Sequence, residues 1–209
     1  MSFPVPARDR IDDLDALAAL YGEPGEASVR KEVGYMHPAY RALVEASPFA
    51  VLATVGPEGL DASPRGDAPG FVTVEDEHTL LMPDRRGNNR VDSLRNVVRD
   101  PRVGLLFLVP GVGETLRING IAHISVAPDL LARFEVDGKR PRSVLVVRIE
   151  AVYFQCSRAI VRSALWTAPH RPRESLPSPG AILAALTKNE IDGQAYDRDL
   201  PARLKTSLY

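Results

Sequence analysis

The spacing of hydrophobic residues along the chain changes after residue 48. Before it, apolar residues recur at every third or fourth position, which predicts amphipathic helices over 10–21 and from Pro38 to Ser47, with a polar arm over 22–31 between them. After it, short apolar runs alternate with turn residues, which is typical of strands. The predicted strands cover residues 49–55, 60–63, 70–74, 79–82, 103–109, 114–126 and 143–154.

Three further helices are predicted among or after these strands. They cover 88–98, 128–134 and, in an otherwise irregular tail, 181–186. Gly120 interrupts the long strand over 114–126 and indicates a bulge or a bend. Regularly spaced strands joined by hairpin turns predict an antiparallel sheet closed into a barrel, with helices at its edge. Parallel βαβ units are not expected.

The composition is that of an ordinary globular protein. The 209 residues are 44% hydrophobic and 25% charged, which excludes a disordered or fibrous chain. Because no interior linker appears, we expect a single domain with an N-terminal helical arm (1–47), a barrel core (48–166) and a C-terminal tail (167–209). The 26 basic and 27 acidic residues give a net charge of −1, so no nucleic-acid partner is expected, although a local basic cluster can bind a small anion.

Cysteine usage and hydropathy bear on the compartment. The single cysteine, Cys156, excludes an intramolecular disulfide, so nothing requires an oxidising environment. Residues 1–10 lack the apolar core and the basic lead of a signal peptide. The longest apolar run, 103–112, is interrupted by Pro110 and falls short of the ~20 residues that a membrane helix needs. We therefore expect a soluble cytoplasmic protein without membrane contact.

Most sequence signatures of enzymes are missing. No glycine-rich loop ends in Lys-Ser or Lys-Thr, and Gly111-Val112-Gly113 lacks the third glycine and the following helix of a dinucleotide fold. The four histidines are scattered, without the spacing of a metal site, so no metal is expected. A Cys/His nucleophile pair stays open for Cys156, although a lone cysteine more commonly serves in packing.

The first cluster with candidate chemistry is Asp61-Ala62-Ser63-Pro64-Arg65-Gly66-Asp67. It combines a hydroxyl, a guanidinium and a carboxylate around a glycine that lets a ligand approach the backbone. The alternative is a surface turn, because these residue types also favour turns. The candidate residues are Ser63, Arg65, Gly66 and Asp67.

The second cluster, Pro83 to Arg90, leads into the helix predicted over 88–98. Arginines and amides gather at a helix N-terminus, where the helix dipole, the backbone N–H groups and the guanidinium forks favour a phosphate. The alternative is a solvated basic turn in which Asn88 or Asn89 caps the helix. The candidate residues are Pro83, Arg86, Gly87, Asn88, Asn89, Arg90 and, one turn into the helix, Ser93.

The third cluster runs from Gln155 to Trp166. Arg158 and Arg162 are spaced for one helical face or for one side of an irregular segment, and Trp166, the one tryptophan of the chain, can cover a planar ring. The alternative is that an arginine of this cluster and Trp166 form a structural pair that holds the C-terminal tail in place.

Taken in this order and at these separations, the three clusters resemble the pyridoxamine 5′-phosphate oxidase-like flavoproteins. The resemblance runs from about Tyr40 to Trp166 and is nearest to a bacterial subgroup known as "probable FMN-dependent enzymes". Its most specific pieces are Ser47-Pro48-Phe49, Ser63-Pro64-Arg65-Gly66-Asp67, the block 83–96, Leu116-Arg117-Ile118-Asn119-Gly120, and Arg162-Ser163 with Leu165-Trp166.

This resemblance implies an antiparallel split β-barrel that forms a homodimer and holds FMN in a cleft shared by both subunits. Ser63–Asp67 would border the isoalloxazine and the ribityl chain, and the Pro83–Arg90 turn would hold the ring edge and the phosphate. Arg162 and Trp166 would approach the cofactor from the second subunit.

The chain departs from the family's oxidases at the phosphate. Where they carry an Arg-Lys pair, this chain has Asn88-Asn89, so Arg65, Arg86 or Arg90 must supply the positive charge. The residues that grip pyridoxamine phosphate are not recognisable either. Oxidation of vitamin B6 is therefore not expected.

The leading hypothesis is an FMN-dependent oxidoreductase that acts as a homodimer on an unidentified small molecule. A flavin performs the redox step itself, and the protein binds and orients it. Asp67 is the candidate general base, but it can equally cap a turn or orient Arg65. The alternatives are a flavin-binding sensor or carrier without turnover, and a relative that binds haem or a deazaflavin instead.

Overall fold

The structure is a computed structural model that describes residues 6–209, so residues 1–5 of the predicted arm lie outside it. The described chain belongs to two compact units, one that ends at Glu32 and one that spans Val33–Tyr209. The helices are α1 (Leu14–Tyr21), α2 (Glu26–Arg30), α3 (Pro38–Ala46), α4 (Asp92–Arg99), α5 (Pro128–Arg133), α6 (Arg158–Ser163), α7 (Pro179–Leu186) and α8 (Gly193–Ser207), with 3-10 turns at Ala7–Asp9 and Arg173–Ser175.

The first unit contains α1 and α2. α1 begins at Leu14 rather than at residue 10 because Asp13 caps it, accepting a hydrogen bond of 2.8 Å from the backbone N–H of Ala16. Gly22 ends α1 with a φ of 67°, which glycine adopts without strain. The polar arm predicted over 22–31 is wrong in part, since five of its residues form α2.

The second unit begins with α3, close to its predicted bounds. His37 caps this helix by accepting a hydrogen bond of 3.2 Å from the backbone N–H of Ala39. Val44 is fully buried, and Tyr40 and Leu43 pack against the main core cluster. Although we expected this helix in the arm, it packs as part of the sheet's core.

Within residues 6–209, seven strands form one antiparallel sheet in the order β2-β1-β5-β6-β7-β4-β3. This architecture, with helices along its sides, confirms the predicted fold class. The strands are β1 (Phe49–Gly56), β2 (Gly59–Gly66), β3 (Thr73–Asp76), β4 (Thr79–Asp84), β5 (Arg102–Leu108), β6 (Thr115–Ser125) and β7 (Ser143–Gln155).

The two faces of β4 show how the core divides. Leu80 and Met82 point into the main core cluster, which also takes residues from β1, β5, β6 and β7. Leu81 points the other way and packs with Phe134 and Val144 under α5. Since successive side chains of a strand point to opposite faces, both faces of β4 are covered.

The sheet curls on itself. In the strand order β2 lies at one edge and β4 next to the other, yet Asp67 directly after β2 and Arg85 directly after β4 are ion-paired at 2.8 Å. Five strand positions separate β2 from β4 along the sheet, so a flat sheet of strands about 4.8 Å apart would hold the two side chains far apart. The ion pair therefore spans the split between β2, at one edge, and β4, which lies next to the other edge.

The predicted irregularity at Gly120 is confirmed. The register between β6 and β7 shifts between Asn119 and Gly120. A Cβ atom at Gly120 would lie 2.2 Å from the carbonyl oxygen of Arg148, so the backbone of β7 approaches too closely for any side chain. The glycine is thus required by this contact.

The start of one strand, the start of one helix and the structure of the tail differ from prediction. The strand expected over 70–74 begins at Thr73, and the helix expected over 88–98 begins at Asp92. The tail after Trp166 is not irregular, because it contains α8 as well as α7. Asp192 caps α8 by accepting a hydrogen bond of 3.0 Å from Ala195 N, and Asp197 of α8 accepts one of 2.8 Å from Gly180 N at the start of α7.

The helices of the described residues are too short or too polar to cross a bilayer.

Candidate functional site

The segments that follow β2 and β4 meet at one cleft. Around the ion pair of Asp67 and Arg85 opens a space of about 520 Å³, which we call the Asp67 cleft. Residues 66–68, residues 85–88, one side of α8 and Tyr209 line it. Gly66 and Asp67 of the first predicted cluster therefore share one surface with Arg86, Gly87 and Asn88 of the second.

Asp67 is held firmly in this cleft. Its side chain is 6% exposed and accepts hydrogen bonds from Arg85 Nε, Ala68 N and the Tyr209 hydroxyl at 2.8, 2.8 and 2.6 Å. Burial raises the pKa of Asp67, but the hydrogen bonds from Tyr209, Ala68 and Arg85 outweigh it and keep the pKa below its ordinary value. Of the roles that the sequence left open, Asp67 caps a turn and orients Arg85 rather than Arg65.

Arg85 and Tyr209 complete the wall beside Asp67. The Arg85 guanidinium donates a second hydrogen bond to the backbone carbonyl of Phe134 and lies 5.5 Å from the centre of the Tyr209 ring. The Arg85 side chain is 17% exposed, so these contacts hold it in one place. Since one guanidinium binds a carboxylate, a carbonyl and a ring, it links the end of β2, α5 and Tyr209.

A row of polar side chains follows the half-buried face of β2. Asp61, Ser63 and Arg65 alternate with exposed residues along this edge strand. The hydroxyls of Ser63 and the buried Ser93 both donate to Asp61 Oδ2, at 3.0 and 2.6 Å. The structure thus joins Ser63 and Ser93, which the sequence placed in separate clusters, through one carboxylate.

Asp84, at the end of β4, is the second carboxylate near the site. Burial raises its pKa above the ordinary value, and the positive charges of Arg65 and Arg142 counteract this only in part. Arg65 on β2 is thus close enough to β4 to influence Asp84, which is consistent with the curled sheet. Pro83, one residue earlier, is buried and pairs with Val144 of β7, so it is an interior residue of the sheet.

The turn before α4 is not built as predicted. Asn89 has a φ of 62°, which a helix cannot accommodate, and Asn88 Oδ1 accepts a hydrogen bond of 3.0 Å from Arg90 N. α4 therefore begins only at Asp92, and neither asparagine caps it, because the residue at the cap position is Val91. The expectation of a helix N-terminus at 88 is wrong: the basic cluster precedes the helix by several residues.

Arg86 and Arg90 line different clefts. Arg86 borders the Asp67 cleft, whereas Arg90 is ion-paired with Asp92 and borders a space of about 360 Å³ between the β1–β2 turn and α4. Arg95 and Arg99 line that second space as well. A single bound phosphate can therefore lie close to Arg86 or close to Arg90, but not equally close to both.

The third cluster lies at another part of the sheet. The Trp166 indole donates a hydrogen bond of 2.8 Å to the carbonyl of Val112, in the turn between β5 and β6. Arg162 is exposed on α6. Within one chain the described hydrogen bonds and ion pairs do not connect either residue to the Asp67 cleft. Through its hydrogen bond to Val112, Trp166 attaches the start of the tail to the β5–β6 turn.

The hydrogen-bond donors around the Asp67 cleft are of the types that bind the phosphate of a flavin nucleotide. A guanidinium and an amide, those of Arg86 and Asn88, are exposed beside it. Gly87 leaves open space, since a Cβ atom built there meets nothing within 4 Å. A ligand can therefore reach the backbone at this point of the turn.

Some residues of the site carried little signal in the sequence. Arg85 lies within the second cluster but was not distinguished from its neighbours. Tyr209 and the face of α8 carried no signal in the sequence, because their positions in the cleft depend on how the C-terminal tail folds. In the part of the chain that the structure describes, no three His, Cys, Asp or Glu side chains come together as a metal site.

Comparison with known proteins identifies the family. Residues 36–156, more than half of the chain, match the family model of pyridoxamine 5′-phosphate oxidase. The chain belongs to the pyridoxamine 5′-phosphate oxidase-like family. This confirms the resemblance seen in the sequence, and the matched segment contains the first two clusters but neither Arg162 nor Trp166. No curated protein matches the sequence.

Several solved structures are similar to this member of the family. HupZ from Group A Streptococcus is 14% identical, with 58% of this chain and 95% of that one covered and a TM-score of 0.48. General Stress Protein 26 from Bacillus anthracis is 16% identical over 54% and 88%, with a TM-score of 0.42. A NimC/NimA family protein from Clostridium acetobutylicum is 15% identical over 57% and 95%, with a TM-score of 0.36.

Proposed function

We propose that this family member is an FMN-dependent oxidoreductase that acts on a small molecule. The observation that carries the proposal is the contact between Asp67 and Arg85, which joins the end of β2 to the turn after β4. Two segments that the sequence linked to a flavin thereby form one cleft. The family of pyridoxamine 5′-phosphate oxidase supports a flavin as the ligand.

In this proposal Arg86, Asn88 and the open backbone at Gly87 hold the phosphate, because guanidinium, amide and backbone donors suit its oxygens. Ser63 and Arg65, on the half-buried face of β2, border the ring and the ribityl chain. When bound, FMN supplies hydride or electron transfer, and the protein orients it.

The protein side chains contribute binding and position rather than proton transfer. Asp67 already accepts hydrogen bonds from three donors, and its pKa lies below the ordinary value, so it is a weak general base. Its part is to hold Arg85, and with it the adjacent turn, in place.

The test is the binding of FMN itself. We expect the purified protein to carry FMN or to take it up, and Arg86→Ala with Arg90→Ala to weaken its affinity at least about tenfold at low salt, with a smaller difference at high salt, where the arginine charges are screened. The matched control, Arg148→Ala with Arg198→Ala, removes two exposed arginines elsewhere and should leave the affinity unchanged. A protein that stays colourless after incubation with FMN would contradict the proposal.

We also propose that the protein is a homodimer in which Arg162 and Trp166 reach the cofactor held by the other subunit. In its own chain Trp166 contacts the β5–β6 turn and Arg162 is exposed on α6, while β2 pairs on one side with β1 and presents its other edge. An unpaired edge favours coverage by a second copy. Light scattering should give a dimer; a monomer that still binds FMN would contradict a shared site.

Mixing two variants tests the shared site directly. One parent carries Arg86→Ala and Arg90→Ala, and the other carries Arg162→Ala and Trp166→Ala. If the sites are shared, a mixed dimer has one site without any substitution, so FMN binding returns in part. If each site is built by one chain, mixing restores nothing.

A flavin carrier or sensor without turnover is the second candidate. The engagement of Asp67 favours it, because no free acid or base among the described residues of the Asp67 cleft is evident for proton transfer. Bound FMN that neither NADH, NADPH nor a flavin reductase reduces would support this candidate over the oxidoreductase. The absorption spectrum of the protein as isolated distinguishes both from a haem or deazaflavin protein.

A further inference from the structure

A basic cleft adjoins the Asp67 cleft and is not explained by a flavin phosphate. It has a volume of about 270 Å³, and five cationic side chains line it: Arg85, Arg86, Lys139, Arg140 and Arg142. Arg85, Arg86 and Tyr209 border both spaces, so the two clefts are neighbours. We call this second space the basic cleft.

The segment that presents three of these cations is held in a fixed shape. Asp137 and Gly138 have φ values of 49° and 74°, as in a two-residue hairpin turn of the Asp-Gly type. Val136 and Lys139 exchange backbone hydrogen bonds of 3.0 and 2.9 Å across this turn. Pro141 is buried, and β7 follows directly. The charges are thus presented by an ordered hairpin, not by a loose loop.

The carboxylates of the neighbourhood balance only part of this positive charge. Arg85 is ion-paired with Asp67, and Arg140 with Glu135 at 2.8 Å. Arg142 donates to the neutral amide of Asn89 over 2.9 Å. Among the described residues, Arg86, Lys139 and Arg142 form no ion pair with a carboxylate.

Two further carboxylates lie nearby and leave this balance positive. Asp84 is half-buried at the end of β4, where the charge of Arg142 acts on it, and Asp137 lies near Tyr209. Counting side chains alone, five cations thus face four carboxylates, of which two are already paired within the wall. Because the whole chain has a net charge of −1, this surplus is local and not a property of the surface at large.

Like charges that converge on a concave surface repel one another more than on open surface, since water screens them less there. An anion in the cleft offsets this repulsion. A guanidinium fork donates two parallel hydrogen bonds to the paired oxygens of a carboxylate or a phosphate. The observations therefore favour an acidic oxygen group as the occupant.

We propose that the basic cleft binds the carboxylate or phosphate group of the small molecule on which the protein acts. The substrate would then be an anionic molecule whose reactive part extends past Arg85 and Tyr209 toward the Asp67 cleft. As a statement about the substrate this rests on the proposed flavin function, whereas anion binding in the cleft does not depend on it.

The experiment titrates inorganic phosphate and, separately, malonate into flavin-free and FMN-incubated protein, followed by calorimetry and by the backbone NMR signals of residues 136–142. We expect at least one anion to bind in both forms. Lys139→Gln with Arg142→Gln should weaken it at least about tenfold, and so should an increase in salt. Preference for phosphate or for malonate then assigns the substrate's acidic group.

The matched control is Arg171→Gln with Lys188→Gln, which removes the same charge from exposed positions outside both clefts. It should bind the anion as the unmodified protein does. Lys139→Gln alone serves as a milder variant, because Lys139 is exposed and its side chain carries no structural hydrogen bond that the loss of charge would break. It should weaken binding by a smaller factor.

Three results would overturn the proposal. Two of them are that neither anion binds the flavin-free protein and that both anions bind the Lys139 and Arg142 variant with unchanged affinity. The other is that FMN abolishes anion binding and that the same variant loses affinity for FMN, since the cleft then belongs to the flavin phosphate. If the protein takes up no FMN at all, the flavin function fails while the flavin-free titration still decides the site.

Discussion

Tyr209 and Asp67 lie 142 positions apart in the sequence, and the phenol hydroxyl of Tyr209 donates a hydrogen bond of 2.6 Å to Asp67 Oδ1. The tail thereby returns to the point where β2 ends and contributes a wall to the Asp67 cleft. The same carboxylate binds Arg85, so one residue connects an edge strand, the turn after β4 and the tail. A substitution of Tyr209 or of Arg85 should therefore change the pKa of Asp67.

Tyr209→Phe should raise the pKa of Asp67 toward its ordinary value. Burial raises this pKa, and the Tyr209 hydroxyl is the strongest of the donors that lower it by stabilising the charged carboxylate. A pH titration of the Asp67 carboxyl carbon by NMR measures the change. Tyr21→Phe, at an exposed position in α1, should leave the titration as it was. An unchanged Asp67 pKa in Tyr209→Phe would show that the hydroxyl does not act on the carboxylate.

Asp67→Asn should destabilise the protein by about 1–3 kcal/mol at neutral pH, because it removes the charged acceptor of a mostly buried pair. Since the pKa of Asp67 is lowered on folding, its contribution is full above the ordinary value of 3.8 and is lost as the pH falls through the lower value of the folded state. The difference in unfolding free energy between the two proteins should therefore narrow in acid.

Urea unfolding at neutral pH and at low pH measures this difference. Glu58→Gln, at an exposed turn position, provides the matched control and should differ little from the unmodified protein at either pH. The lowered pKa would be contradicted if the difference in unfolding free energy between Asp67→Asn and the unmodified protein stayed constant into strong acid.

Gly120→Ala should destabilise the protein by about 1–3 kcal/mol, since the new methyl group would meet the carbonyl oxygen of Arg148 at 2.2 Å. Gly34→Ala is the matched control, because its Cβ would lie 3.5 Å from the nearest atom, the carbonyl oxygen of Glu150, an ordinary contact. Thermal or urea unfolding compares the two. Equal stability of both variants would mean that β6 and β7 can separate at the bulge without cost.

Ser93→Ala should cost about 1–2 kcal/mol, because Ser93 is buried and its hydroxyl is one of two that bind Asp61. Ser163→Ala removes an exposed hydroxyl that binds the carbonyl of Ile160 and should change stability by less than about 0.5 kcal/mol. Urea unfolding measures both. If the Ser93 variant were as stable as the control, Asp61 would have to be satisfied by water or by Ser63 alone.

The sequence predicted the parts of this site better than their arrangement. The strand pattern, the bulge at Gly120 and the helix from Pro38 all follow from local spacing and from turn residues. The start of α4 did not, because Asn89 adopts a left-handed conformation that the helical spacing of its neighbours conceals. α8 was missed since Gly193 and Pro201 weaken its local signal, and its packing against α7 compensates for them.

By itself the sequence determined the antiparallel class of the sheet and which short segments carry arginines, amides and hydroxyls, because periodicity and residue chemistry are local properties. Which of these segments meet was decided only in the tertiary structure. The curl of the sheet brings Asp67 to Arg85, and the folded tail brings Tyr209 to both. Such contacts depend on strand register and sheet curvature, which accumulate from small rotations over many residues. The residues that come into contact therefore carry no recognisable signal of that contact in the sequence.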